Sequence, residues 1–506
     1  MRSAGDSLRA TSPGPRIFAR GALGHRPSAG AEPMLRPPCQ NAGVPVFSRP
    51  DAPAVRFPWA RRPGAARSSG GDGRSRDSSN WSRGAVAGTA LTAGAASLSF
   101  GVSSAVAAYV ARQVVVPPRY RSEDLAIAGY TPCDSDRSPE AAPGAGEVRL
   151  AATVETTVDG VYSLRFAGGA GHARIGQILS WSPAAGEVVR EVEEVYSGDL
   201  SAASRGWWAG TVYPDPGAAG FRFHEVELPM EMGAAPCWVV PAGQDDDAWT
   251  DAEADTARGE PQDEDGTARQ LPGPWAIMVH GRGAQRMEAI RALRTAQRLG
   301  LTSLLISYRN DREAPASADG RYGLGFTEWK DVQLAISYAK LRGATRIVLF
   351  GWSMGGAICL QTADLSIYRS DIAGMVLTGP VVDWFSLFAH HTASRRIPET
   401  ITRMATSLIT TRRGRWLTGL AAPVDLGSLD WITRADQLQT PTLILHSADD
   451  EFVPDTASRR LAELSGRVEM VGFDRARHTK EWNVDPERWE SAVQEWTGRV
   501  LPELHG

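Results

Sequence analysis

Apolar runs of six or seven residues alternate with amphipathic stretches through the C-terminal half of the chain. The stretches Thr327–Leu341 and Asp485–Leu504 carry apolar residues at helical spacing. Six runs are strand candidates: WAIMVH (275–280), TSLLISY (302–308), RIVLFG (346–351), AGMVLTG (373–379), PTLILHS (441–447) and RVEMVGF (467–473). Such strands in alternation with helices predict a mostly parallel, doubly wound α/β sheet covered on both faces. Just upstream, FHEVELPM (223–230) and APCWVVPA (235–242) predict a β-hairpin.

A shorter period, near two, marks residues 147–220. The runs VRLAATVETTV, GVYSLRF, ARIGQILSW and VVREVEEVY are separated by turns that contain Gly, Pro or Asp. This pattern predicts a small β-rich accessory segment ahead of the α/β domain. It carries no recognisable chemistry, and we expect the pair Trp207–Trp208 to serve packing rather than binding.

The N-terminal part has no sustained apolar period before residue 84. Residues 1–83 are rich in Pro, Gly, Ser, Ala and Arg, so we expect them to be disordered. Residues 84–111 are uncharged and long enough to cross a bilayer as a helix, which predicts a transmembrane or signal-anchor helix. A soluble small-residue helix or a flexible linker are the alternatives. The arginine excess before the run favours an extracytoplasmic catalytic domain, with a cytoplasmic one as the alternative.

Charge is unevenly distributed along a chain whose net charge is only −4. Residues 1–83 hold 14 Arg against five acidic residues, and residues 245–265 hold ten acidic residues against one Arg, within a predicted solvated loop, Gln244–Gln270. Neither block combines basic and aromatic residues in a regular period, so we expect no nucleic-acid partner. The four cysteines form no CxxC spacing, which disfavours a zinc site. We expect Cys237 and Cys359 to be small buried apolar residues.

The strongest chemical motif is Gly351-Trp352-Ser353-Met354-Gly355-Gly356. It follows the strand candidate RIVLF and opens a helical run, AICLQTADL. A sharp strand-to-helix turn crowds the backbone, so small residues are needed two positions before and after the serine, whose hydroxyl is left exposed above the sheet. Ser353 is therefore the predicted nucleophile.

A serine hydroxyl needs a base, and the base needs an orienting acid that follows the serine and precedes the histidine in this topology. His478 lies in a polar loop, RARHTKEW, between the last strand and the last helix, and is the predicted base. Asp450 follows the strand PTLILHS and is the predicted acid, because functional groups gather at the carboxyl ends of parallel strands. Asp449 and Asp383 remain rival acids.

The oxyanion of the tetrahedral intermediate needs backbone donors. One predicted donor is the N–H of Met354, at the start of the helix after the serine. The other is the N–H of Arg282, in the loop His280-Gly281-Arg282-Gly283 after the strand WAIMVH. We expect His280 to hold that loop, and the Arg282 guanidinium to face either an anionic substrate or a solvated or ion-paired environment.

Together these motifs make residues Arg222–Leu504 resemble the α/β-hydrolase superfamily, in particular bacterial hydrolases of the prolyl-oligopeptidase-like or serine-aminopeptidase-like kind. The resemblance implies a Ser–His–Asp mechanism with an acyl-enzyme, and neither a metal nor an organic cofactor. It does not imply a substrate. Residues 381–435 form an insertion where this fold often builds a cap, either as a pair of packing helices or as a lid over an acyl pocket.

The resulting hypothesis is a serine hydrolase that acts on a small-molecule or acyl substrate, an ester or thioester, beside a membrane. A peptidase or acyltransferase with the same triad is an alternative, although the sequence has no identifiable acidic amine site or large gating domain. An inactive membrane-anchored scaffold is a third hypothesis, which the complete set of Ser353, Asp450 and His478 disfavours. The sequence does not define the oligomeric state.

Overall fold

The α/β domain is built on one eight-stranded sheet. The computed structural model describes residues 103–134, 140–243 and 269–505. With strands numbered along the chain, the sheet order is β14-β13-β12-β11-β9-β10-β8-β7. The strands from β14 to β10 are parallel, and the hairpin β7–β8 adds two antiparallel strands at one edge. The predicted mostly parallel sheet and the predicted hairpin are confirmed.

The bounds of the elements are as follows. The strands are β1 Leu125–Pro132, β2 Gly146–Ala151, β3 Tyr162–Phe166, β4 Gly171–Ser182, β5 Glu187–Ser197, β6 Arg205–Ala209, β7 His224–Met230, β8 Gly233–Val240, β9 Gly273–Val279, β10 Thr302–Ile306, β11 Ala344–Trp352, β12 Ile372–Thr378, β13 Thr442–Ser447 and β14 Val468–Phe473. The helices are α1 (residues 103–115), α2 Leu293–Arg298, α3 Trp329–Leu341, α4 Met354–Leu365, α5 Trp384–Ser394, α6 Glu399–Thr410, α7 Arg415–Thr418, α8 Thr456–Leu464, α9 Glu481–Val484 and α10 Pro486–Val500. A 3₁₀ helix, Arg286–Ala292, leads into α2.

The central strands are apolar throughout because the sheet is buried on both faces. In β9, Trp275 and Ile277 belong to one hydrophobic cluster, while Ala276 and Met278 belong to a second. Alternate residues of a strand point to opposite faces, so the two clusters lie on either side of the sheet. The free thiols of Cys237 and Cys359 are buried in the first cluster, as expected for small apolar residues.

The accessory segment is a closed six-stranded barrel of order β1-β2-β5-β4-β3-β6. Its strands pair antiparallel, and the β1–β6 pair closes the barrel, so it has no free edge. Trp208 is buried in the barrel core with its ring 4.9 Å from the ring of Tyr162. The structure therefore places Trp208 in packing, as expected.

The barrel begins earlier than the sequence pattern indicated. Its first strand, Leu125–Pro132, precedes the predicted start at residue 147, because only Leu125 and Ile127 of that strand are buried and two positions make a weak pattern. The predicted strand at residues 148–158 was too long. The strand ends at Ala151, and residues 154–157 form turns in which Thr153 and Thr156 bond to one another and to the backbone.

Only the end of the apolar run 84–111 falls within the described residues, where it forms the start of α1. Ala107, Ala111 and Val115 of this helix are fully buried in the hydrophobic cluster of the α/β domain. In the part of the chain that the structure describes, no helix has the length and hydropathy needed to span a bilayer. Residues 1–83, 84–102 and 244–268, with the predictions made for them, lie outside the described part.

One buried arginine organises the barrel. The Arg190 guanidinium donates to the carbonyls of Thr156, Val158, Gly160 and Gly176, at 3.1, 2.7, 2.7 and 2.5 Å. It also lies over the rings of Tyr162 and Trp208. One cation thus satisfies several carbonyls that would otherwise be buried without a donor.

We predict that Arg190→Met lowers the free energy of unfolding by about 3 kcal/mol, because it leaves buried carbonyls without donors. Denaturant unfolding followed by tryptophan fluorescence measures the change. Arg149→Met, at an exposed position of the same barrel, is the matched control and should change the value by less than about 0.5 kcal/mol. Equal effects of the two substitutions would contradict the role given to Arg190.

Candidate active site

Ser353 occupies the sharp turn between β11 and α4. Its backbone has φ 53° and ψ −117°, a strained conformation for a residue with a side chain. A Cβ at Gly355 would lie 2.1 Å from the carbonyl oxygen of Val279, and a Cβ at Gly351 would lie 2.8 Å from that of Gly355. The glycines of the motif are therefore required by close backbone packing, as the sequence analysis proposed.

The structure brings Ser353, His478 and Asp450 together. His478 Nε2 lies 2.9 Å from Ser353 Oγ, and His478 Nδ1 lies 2.7 Å from Asp450 Oδ2. The other carboxylate oxygen, Asp450 Oδ1, accepts the backbone N–H groups of Phe452 and Val453 at 2.9 and 2.8 Å. This is the geometry of a hydroxyl, a base and an orienting carboxylate in one chain of hydrogen bonds.

The rival acids lie elsewhere in the hydrogen-bond network. The Asp383 carboxylate caps the start of α5, where it accepts the backbone N–H groups of Phe385 and Ser386. Asp449 is exposed, and its carbonyl accepts from Arg477. Among the described residues, only the Asp450 carboxylate pairs with His478.

The surroundings of Asp450 favour its charged form. Burial opposes ionisation, but the attraction of His478 and hydrogen bonds from His446 and His478 outweigh it, so the pKa of Asp450 lies well below its usual range. His446 Nε2 lies 3.4 Å from Asp450 Oδ2, and its Nδ1 bonds to Ser458 at 2.9 Å. Asp450 is thus suited to stay an anion beside the histidine.

A second carboxyl, Glu481, is buried near this pair. Its Oε1 accepts the backbone N–H of Ser447 at 3.1 Å, while its buried Oε2 has no hydrogen-bond partner among the described residues. Burial raises the pKa of Glu481 to about 7; His446 opposes the shift and Asp450 adds to it. Glu481 is therefore neutral over part of the range in which Asp450 is ionised.

The predicted oxyanion loop lies directly beside the serine. A Cβ at Gly281 would come within 3.1 Å of the Ser353 Cβ, which shows how closely the loop approaches. His280 is buried with Nε2 2.6 Å from Asp311 Oδ2, and its ring stacks on Tyr308 at 4.4 Å. His280 thus holds the loop, as expected. The roles of the Arg282 and Met354 N–H groups as oxyanion donors stay predictions.

The Arg282 side chain is half-buried and binds backbone carbonyls, with no acidic partner among the described residues, which corrects the expectation of a solvated or ion-paired guanidinium. Its guanidinium donates to the carbonyls of Gln113, Val114 and Val116 at 2.5, 2.8 and 2.7 Å. Carbonyls at the end of a helix have no partners within it, and a cation there satisfies them and opposes the helix dipole. Arg282 therefore ties the end of α1 to the loop beside Ser353.

An aromatic cluster borders His478. The ring of Phe452, 46% exposed, lies 4.9 Å from the ring of His478 and 4.7 Å from that of His391. Burial lowers the pKa of His391 to about 4, helped by Arg395, so its ring is neutral near pH 7. The half-exposed Phe452 and the neutral His391 thus lie next to His478.

Sequence reasoning missed the residues that hold the two loops of the site. Glu288 Oε2 accepts the N–H of Gly281 at 2.7 Å, and Arg291 donates to the carbonyl of Thr479 at 2.7 Å and to Asn483 Oδ1 at 2.5 Å. The charged Glu288 and Arg291 lie among apolar residues in a 3₁₀ helix, MEAIRA, where both are buried. Burial of these two charges would have indicated their role, but only the structure shows it. Asn483 belongs to the HTKEWN segment, whose contacts are long-range.

Comparison with known proteins agrees with this architecture. Residues 276–492 match the alpha/beta hydrolase family. Residues 140–209, which contain β2 to β6, match a domain of unknown function, DUF8805. The first match spans the α/β domain from β9 to α10 and makes that part of the chain similar to the family.

Several solved structures are similar to the chain at low identity. An esterase from Pyrococcus furiosus is 16% identical over 57% of this chain and 95% of that chain, with a TM-score of 0.40. Est1E from Butyrivibrio proteoclasticus is 15% identical over 55% and 99%, with a TM-score of 0.36. A thermophilic esterase from Thermogutta terrifontis is 18% identical over 56% and 100%, with a TM-score of 0.36. Similarity at this level carries no information about the substrate.

We predict that Glu481 makes stability depend on pH. Its pKa is higher in the folded protein than the usual 4.5, so its contribution is fully present below about pH 4.5 and is lost as the pH rises to about 7. The loss is about 3 kcal/mol. Glu481→Gln, which stays neutral, should therefore lose less stability between about pH 5 and about pH 8.

Denaturant unfolding at a series of pH values measures this difference. Glu495→Gln, at an exposed position of α10, is the control and should leave the pH dependence of the native protein unchanged. If Glu481→Gln and the native protein lose stability in parallel, ionisation of Glu481 is not the cause.

Proposed function

We propose that the protein is a serine hydrolase that cleaves a carboxylic ester or thioester through an acyl-enzyme. Ser353 is the nucleophile, His478 the general base and Asp450 the carboxylate that orients it. The observation that carries this proposal is the continuous chain of hydrogen bonds Ser353–His478–Asp450, at 2.9 and 2.7 Å.

The reaction proceeds in two halves. His478 Nε2 takes the proton of Ser353 Oγ as that oxygen attacks the acyl carbon, and then gives the proton to the leaving alcohol or thiol. The negative oxygen of the tetrahedral intermediate receives the backbone N–H groups of Met354 and Arg282. Water then attacks the acyl-enzyme, again with His478 as base, and releases the acid. Throughout, Asp450 stabilises the imidazolium.

The surroundings of the serine favour an apolar acyl or alcohol group. Phe452 is half exposed beside His478, and His391 contributes a neutral ring to the same surface. Rings of this kind stack on or pack against apolar groups. The chemistry of the triad also permits a peptidase or an acyltransferase, and which of these reactions it serves depends on what occupies the leaving-group side.

We predict that a fluorophosphonate probe labels the native protein at Ser353. Labelling should vanish in Ser353→Ala and slow by at least about 1,000-fold in His478→Ala, because the hydroxyl then lacks its base. Asp450→Asn should slow it by about 100-fold or more, whereas the matched Asp449→Asn should change it little. Labelling rates followed by gel fluorescence and mass spectrometry test this assignment.

Undiminished labelling of Ser353→Ala would refute the nucleophile assignment. Equal loss in Asp449→Asn and Asp450→Asn would refute the choice of acid. Nitrophenyl esters of increasing chain length, run beside aminoacyl-amides and with or without added alcohol, then separate esterase, peptidase and acyltransferase. The esterase proposal fails if the amides are cleaved with the higher kcat/KM.

We also propose that the protein is a membrane protein with a single anchor in the part of the run 84–111 that precedes α1, because Ala107 and Ala111 are buried in the folded domain. The catalytic domain then lies on the extracytoplasmic side. The supporting observation is a surface where that run meets the folded domain. On α7, Trp416 is 84% exposed, with the exposed Arg413 and Arg415 beside it. Tyr109 of α1, 64% exposed, lies one turn before Arg112, which donates to the carbonyl of Leu417 at 3.2 Å. Exposed aromatic and basic residues of this kind suit the headgroup region of an anionic bilayer.

We predict that the full chain fractionates with membranes and resists extraction at high pH, and that deletion of residues 84–102 releases it. The deletion stops before α1 because Ala107, Ala111 and Val115 are core residues. Trp416→Ser in the shortened chain should weaken binding to phosphatidylserine vesicles, unlike the control Trp181→Ser on the barrel surface. Recovery of the full chain in the soluble fraction would refute the anchor, and protease protection tests the orientation.

A further inference from the structure

The barrel touches the loop that carries His478. The segment 479–484, which follows the histidine, lies against residues 155–161 and 210 of the barrel. Val161 N–H donates to the carbonyl of Asn483 at 2.9 Å, and a Cβ at Gly160 would lie 2.1 Å from that same oxygen. The contact is therefore close, backbone to backbone.

Asn483 uses every polar atom of its side chain in this contact. Its amide nitrogen donates to the carbonyls of Val161 and Gly210 at 2.7 and 3.0 Å. Its amide oxygen accepts from Arg291 of the α/β domain at 2.5 Å. Because Asn483 is fully buried, loss of its side chain would take this donor from the carbonyls of Val161 and Gly210 and one acceptor from Arg291.

An ion pair joins the same two parts of the chain. Lys480 Nζ, two residues after His478, bonds to the carboxylate of Glu155 in the barrel. Most of the Lys480 side chain is buried, with 11% of its surface exposed. Glu155 in turn lies in the loop whose carbonyls, those of Thr156, Val158 and Gly160, are held by Arg190.

The residue directly after the histidine is strained. Thr479 has φ 55°, a left-handed conformation that a β-branched residue adopts only when its surroundings impose it. Arg291 binds its carbonyl at 2.7 Å, and its hydroxyl donates to Glu288 at 3.3 Å. Glu288 also accepts the N–H of Gly281 in the loop beside Ser353. One buried network thus runs from the barrel to both loops of the site.

We propose that the barrel positions the catalytic histidine: through Glu155, Val161 and Gly210 it holds Lys480 and Asn483, and thereby keeps His478 in reach of Ser353. This inference rests on the proposed function of the triad. It adds a role in catalysis for the barrel. Lys480 and Asn483 are positioning residues, since neither touches the reacting atoms. A displacement of a catalytic group by about 1 Å can cost about 100-fold in rate.

The test exchanges the charges of the ion pair in the full chain. Lys480→Glu and Glu155→Lys each place like charges together, and each should lower kcat for a nitrophenyl ester by about tenfold with KM little changed. The double variant restores an opposite pair and should recover most of the rate. Asn483→Ala, which breaks the barrel contact and the Arg291 bond together, should lower kcat by at least as much.

Labelling by the fluorophosphonate probe separates positioning from plain stability. If the barrel positions His478, the rate constant of labelling falls in the single variants while the fraction finally labelled stays as in the native protein. A role in stability alone would lower the labelled fraction and the melting temperature and leave the rate per labelled site unchanged. Glu469→Gln, which removes an exposed ion pair with Arg499, is the matched control and should change neither.

Two results would overturn the proposal. One is a native labelling rate in both single charge variants, and the other is a failure of the double variant to recover any of the lost rate. Failure of the proposed function looks different, because then the native protein itself would not be labelled at Ser353.

Discussion

The site depends on one backbone constraint, the strained turn at Ser353. A left-handed φ at a residue with a side chain is held only by dense packing around it. Here Gly355 packs against the end of β9 and Gly351 packs against the first turn of α4, and neither contact leaves room for a side chain. The turn places Ser353 between the end of β11 and the start of α4. The first N–H groups of α4 therefore follow directly after the serine. The positions of Ser353 and of one predicted oxyanion donor thus follow from a single feature.

The histidine of the site, His478, comes from a distant part of the sequence. His478 lies 125 residues after Ser353 and is carried by a loop with its own strained residue, Thr479. Strain in a loop persists only where neighbouring groups outweigh it, and here those groups come from the barrel and from the 3₁₀ helix Arg286–Ala292. The barrel and the α/β domain are therefore connected by hydrogen bonds at the loop that carries His478.

The α1 helix shows a similar use of long-range contacts. Arg282 satisfies the last carbonyls of α1, and its own backbone belongs to the loop beside Ser353. Read locally, an arginine in an HGRG loop suggests a ligand for an anion. Its actual partners lie more than 160 residues away in sequence, so no local pattern could indicate them.

The sequence by itself determined the parallel sheet, the hairpin at its edge, and the choice of Ser353 and His478 as a candidate pair. Strand periodicity, glycine spacing and the order of the three residues are local or topological signals, and physical chemistry constrains them strongly. Only the tertiary structure placed Asp450, and neither of its rivals, against His478. It also closed the barrel with Leu125–Pro132 and placed Glu288, Arg291 and Asn483. These outcomes depend on which distant segments meet in three dimensions, because a carboxylate or amide acquires its role from its partners and not from its neighbours in sequence.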